Sequence, residues 1–108
     1  MRKVRKHEHH LKELSRRLAA TDDPAMIFDF LYGALTPHER EAIALRWQLV
    51  KLLEGGATHR ATASALGVSL CKITRGSWEL KHGRKGFREF VKRAVSGTRK
   101  QGTARRKG

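Results

Sequence analysis

Cysteine, proline, acidic side chains and long apolar runs are all scarce in this 108-residue chain. Its single cysteine, Cys71, rules out an internal disulfide and any paired-thiol metal site, and suits a reducing cytoplasm. The two prolines, Pro24 and Pro37, each follow a good capping residue and so mark helix starts rather than breaks. No apolar run approaches the roughly 20 residues needed to span a membrane, and the basic beginning lacks the apolar segment of a signal peptide. A cytoplasmic protein with no membrane partner is the expectation. Catalytic sets of nucleophile, base and acid are missing, as are glycine-rich phosphate loops, which argues against an enzyme. The histidine cluster His7, His9 and His10 has no distant Cys or His partners to close a metal site, so no metal is expected.

What the chain has in excess is positive charge: 24 Lys and Arg against 10 acids, a net charge of +14 and a pI near 11.2. Such an excess repels itself unless a polyanion neutralises it. Residues 1–17 hold 7 Lys/Arg against 2 acids and residues 81–108 hold 11 against 1, while residues 18–80 hold 6 against 7. A nearly neutral body therefore carries two basic ends. These ends suit arms that grip phosphates with a steep salt dependence; solvated tails, or non-specific nucleic-acid binding through the tails alone, are the alternatives. The boundaries expected are a basic arm over 1–7, a helical domain over 8–96 and a disordered basic tail over 97–108.

The apolar spacing predicts six helices. Leu11, Leu14 and Leu18 make a narrow stripe from about residue 8. Asp23 caps a second helix that starts at Pro24, presents Met26, Ile27, Phe30 and Leu31, and ends near Gly33. Thr36-Pro37-His38-Glu39 is a capping box. It opens a third helix that runs to about Glu54, with Gly55-Gly56 as its stop. Ala42, Ile43, Leu45, Leu49, Val50, Leu52 and Leu53 cover more than half its circumference, which calls for burial on several sides. A last helix, about 85–96, aligns Phe87, Phe90, Val91, Ala94 and Val95.

Between them, 58–81 reads as a helix-turn-helix. Ala63, Gly67 and Ile73 are the small, turn and apolar positions that let two short helices cross steeply. Thr58 caps the first, Gly67 ends it in a left-handed conformation, and Ser69 caps the second by accepting from its free amides. Ser69, Cys71, Lys72 and Arg75 then face outward. Arg60 and Lys72 are placed to reach base edges or phosphates, the amides at Ser69 and Leu70 suit a phosphate, and Thr74 and Lys81 are further DNA-contact candidates. So many wide apolar faces in so short a chain are hard to satisfy in one small core, and a homodimer sharing one core is expected.

Two stretches, LTPHEREAIALR at 35–46 and ITRGSWELK at 73–81, resemble the LTPxEREAxxxR and ITRGSNxLK segments of the tryptophan repressor family. The likeness covers roughly 25–95; neither basic end belongs to the family pattern. The resemblance implies an all-α chain of six helices forming an intertwined homodimer that takes L-tryptophan as corepressor and then fits double-stranded operator DNA. Helix-turn-helix dimers, this family among them, read two half-sites about one DNA turn apart. Carried over, Thr36, Arg46 and Arg75 fall on ligand-contacting positions, with Leu35 and Gly76 lining the pocket. The chemistry is sensible in its own right, because guanidinium planes stack on aromatic faces while their charge attracts a carboxylate.

Three positions depart from the family pattern around that pocket. Trp78 stands for the usual asparagine, Glu79 for a small residue and Gly33 for a leucine. A ligand-independent DNA-binding regulator of the same fold is the alternative these departures keep open.

Overall fold

In a computed structural model of the chain, the backbone is described over residues 2–107 and side chains over residues 7–97. The described residues form six α-helices: α1 (Arg2–Ala19), α2 (Pro24–Ala34), α3 (Pro37–Glu54), α4 (His59–Leu66), α5 (Leu70–His82) and α6 (Lys85–Lys107). The chain is all-α, as its spacing predicts. Two compact units divide it, residues 1–40 and residues 41–108.

Local capping explains the first unit. Thr21 closes α1 by donating its hydroxyl to the Arg17 carbonyl at 2.9 Å, and Arg16 and Arg17 in the last turn complement the negative end of the helix dipole. Asp23 starts α2 by accepting from the amides of Ala25 and Met26. The capping box forms with both bonds. The Thr36 amide donates to Glu39 Oε1 at 2.9 Å, and the Glu39 amide donates to Thr36 Oγ1 at 3.2 Å. These bonds hold the Glu39 carboxyl below the ordinary glutamate range, the Thr36 amide contributing most.

Arg40 does the work of a C-cap for α2. Its Nη1 donates to the Tyr32 and Leu35 carbonyls at 2.7 and 2.9 Å while its guanidinium lies 3.8 Å over the Tyr32 ring. Sequence spacing does not show this clamp, since the partners lie five and eight residues upstream. No residue of α2 is buried, and Met26, Phe28, Phe30, Leu31 and Tyr32 are all exposed.

The second unit holds the core. Leu49 and Val50 of α3, Ile73 of α5 and Val91 of α6 are buried together, with Trp47, Leu53, Ala63, Leu66, Val68 and Leu80 packed around them. Thr62 is buried as well, and its hydroxyl is satisfied by donating to the Thr58 carbonyl at 2.8 Å. Gly76 is where α5 comes closest to α3: a Cβ there would overlap Leu49 Cδ2. Farther along α3, Lys51 lies 5.4 Å from the Trp47 ring, whose other neighbour is Phe90 at 5.7 Å. Only Leu49 and Val50 of the broad α3 apolar surface are buried; Ile43, Leu52, Leu70, Trp78, Phe87 and Phe90 remain exposed.

Three expectations differ from the structure. Ser69 has N-cap backbone angles (φ −72°, ψ 157°) but makes no side-chain capping bond; its exposed hydroxyl is free to face water, and the buried Ile73 anchors the first turn instead. At the ends, α1 begins at Arg2 rather than near residue 8, and α6 continues to Lys107 rather than ending near Ser96. Neither basic stretch contains a proline, and Lys, Arg, Gln and Ala carry good helix propensity, so the backbone is free to extend the helix.

Candidate nucleic-acid interface and effector groove

The helix-turn-helix is built almost wholly from short-range contacts. Thr58 starts α4 by accepting from the Ala61 amide at 3.0 Å. Gly67 ends it at φ 66°, ψ 36°, where a side chain would be strained, and the amides of Gly67 and Val68 both donate to the Ala63 carbonyl. Two residues later α5 begins, with Ile73 fully buried. Burying Ile73 aims one side of α5 into the core and turns the opposite side outward.

That outward side carries the DNA-contact candidates. Ser69, Leu70, Lys72, Thr74 and Lys81 are exposed on and before α5, and Arg60 is exposed on α4. Thr74 donates its hydroxyl back to the Leu70 carbonyl at 2.9 Å, leaving it an acceptor toward any ligand. Ion pairs among the described residues are confined to Glu89, which meets Lys85 and Arg93 on the surface of α6. The cations Arg60, Lys72, Arg75 and Lys81 therefore have no carboxylate partner and keep their charge available to a polyanion.

On the same side, Cys71, Thr74, Arg75, Trp78 and Glu79 line a groove of about 460 Å³. Trp78 is 57% exposed, its ring 5.3 Å from that of His82. Its indole thus faces away from the core of the chain, beside Arg75. His82 is not singled out by the sequence, although its position four residues after Trp78 is the signal that pairs them.

The ligand candidates are distributed as follows. Leu35 and Thr36 belong to the first unit, where Leu35 ends α2 and Thr36 is committed to the capping box. Arg46, Arg75 and Gly76 belong to the second. Arg46 is exposed but shares a helical stripe with Leu49, Val50 and Leu53, the α3 face that packs into the core. Arg75 is in the groove, whereas Gly76 lies against Leu49 and not in the groove. Groups of His, Cys, Asp and Glu able to hold a metal ion do not occur among the described residues, and no helix there is long and apolar enough to cross a membrane.

Comparison with known proteins agrees with this geometry. Proteins called "Trp operon repressor homolog" are similar to the chain: one from Chlamydia trachomatis is 41% identical over 58 residues, covering 53% of this chain and 62% of that protein. One from Chlamydia caviae is 43% identical over 70 residues, covering 64% and 69%. One from Vibrio vulnificus is 39% identical over 69 residues, covering 63% and 68%. The chain thus matches about three fifths of the length of the C. trachomatis relative. The sequence model of the family described as "Trp repressor protein" matches residues 9–95, a span that takes in both the capping box and the helix-turn-helix, and the chain belongs to that family.

Proposed function

We propose that the chain is a DNA-binding transcriptional repressor, active as a homodimer, that takes L-tryptophan as corepressor and acts on genes of tryptophan biosynthesis or transport. One observation carries this reading: a single exposed face of α5 holds both the unpaired cation Lys72 and the groove around Arg75. A ligand held by Arg75 touches the helix that meets DNA. Its binding energy can then favour one setting of that helix over another, which is what a corepressor has to do.

Arg75 supplies charge for the ligand's carboxylate and, with Arg46, a flat cationic surface for the indole. Leu35, Thr36 and Gly76 complete the proposed ligand set. On DNA, Arg60 and Lys72 reach base edges or phosphates, with Thr74 and Lys81 beside them. Because Ser69 does not cap α5, the amides at Ser69 and Leu70 keep their capacity to meet a phosphate. The basic stretches 1–7 and 97–108 add phosphate contacts that carry no sequence information. A second copy of the chain is the proposed cover for the exposed apolar side chains Phe28, Phe30, Ile43, Phe87 and Phe90.

A ligand-independent regulator is the second reading, favoured by Trp78, whose indole stands beside Arg75 and offers the groove a resident ring. Calorimetric titration of L-tryptophan into wild type and Arg75→Ala separates the two. Saturable binding lost in the variant supports the corepressor, and no heat at millimolar ligand eliminates it. Equal affinity for random duplex and palindromic DNA across a salt series would instead indicate non-specific binding through the basic ends.

A further inference from the structure

Arg75 and Glu79 stand one helical turn apart in the groove, with opposite charges, and no ion pair joins them. Their order explains this, since a cation N-terminal to an anion at this spacing is the less favourable arrangement on a helix. Glu79 is half-buried, and its Oε1 lies toward Gly83, where an added Cβ would meet it. A partly desolvated carboxylate without a cation is costly, and a ligand ammonium would relieve that cost. Between the two charges Trp78 offers an aromatic surface. The groove volume of about 460 Å³ falls in the range of small-molecule sites.

A cation, an anion and an indole on one face match a zwitterionic amino acid with an aromatic side chain. We propose that Glu79 is a specificity-determining residue that makes effector binding depend on a free ammonium group, with Arg75 holding the carboxylate at the other end. This rests on the reading of an amino-acid effector at Arg75 and adds to it the feature of the ligand that is selected.

The test is calorimetric titration of the full chain with L-tryptophan and with indole-3-propionate, which keeps the ring and carboxylate but lacks the ammonium. Wild type is expected to prefer L-tryptophan by at least about tenfold, the scale of a hydrogen bond to a charged group. Glu79→Gln, which is isosteric, should bring the two affinities together by weakening L-tryptophan alone, and Glu79→Asp should restore part of the preference. An unchanged preference in Glu79→Gln overturns the role of Glu79 while leaving the tryptophan reading intact. Failure of wild type to bind L-tryptophan overturns both.

Discussion

Replacing Gly76 by alanine tests how α5 is seated on α3. In a helix exposed to water the change should stabilise, since alanine is better than glycine by about 1 kcal/mol. At Gly76 the new Cβ would overlap Leu49 Cδ2, and Leu53 Cδ1 is 3.8 Å away. Leu49 is only 4% exposed, so its methyl has little room to retreat. Overpacking of this kind costs about 1–3 kcal/mol. Setting the propensity gain against it leaves Gly76→Ala neutral to about 2 kcal/mol destabilising. The double-mutant cycle is more decisive. Leu49→Ala alone should cost about 2–5 kcal/mol, but it removes the colliding methyl. Within that background Gly76→Ala should stabilise by up to about 1 kcal/mol, giving a coupling of about 1–3 kcal/mol between the sites. Urea unfolding followed by circular dichroism, at one fixed protein concentration because dimerisation shifts apparent stability, measures all four corners. If Gly76→Ala stabilises wild type as much as it stabilises Leu49→Ala, the proposed approach of α5 to Leu49 is wrong.

Other substitutions probe the caps and the interface. Gly67→Ala places a side chain at φ 66° and should destabilise by about 1–2 kcal/mol in the same unfolding assay, with a matching loss of DNA affinity as the turn deforms. Thr58→Ala removes the bond to the Ala61 amide and should cost about 1 kcal/mol. Because the Glu39 carboxyl is held below its ordinary range, its contribution is fully present above the unfolded value and disappears as pH falls through the lowered folded value. The difference in melting temperature between wild type and Glu39→Ala should therefore shrink over that acid interval; a difference that stays constant or grows there would contradict the capping assignment. Lys72→Ala should reduce the slope of log affinity against log salt by about one if Lys72 meets a phosphate, and relax base preference at one position if it meets a base edge.

The elements legible in the sequence are those whose bonds close within four residues. Asp23, the Thr36 and Glu39 pair, Thr58 and Gly67 each do in the structure what their local pattern predicts. A cap needs only its own helix, so residue type and spacing are enough to specify it. The apolar spacing likewise separates six helices, and the pairing of the two motifs at 35–46 and 73–81 points to the family.

Tertiary structure decided what depends on distant neighbours. That Leu49 and Val50 are buried while Ile43 and Leu52 are not follows from which face of α3 meets α5 and α6, and the spacing marks all four alike. Gly76 reads as a pocket-lining position in sequence, yet it is also the point where Leu49 presses on α5. Ser69 has the right type and backbone for a cap but leaves its hydroxyl unused, since Ile73, buried against residues of other helices, already fixes the turn. Trp78 could have joined the core or faced solvent, and the burial of Ile73 on the opposite side of α5 places it outward beside Arg75 and Glu79. Sequence spacing sets which residues share a helical face; only packing against the rest of the chain sets where that face points.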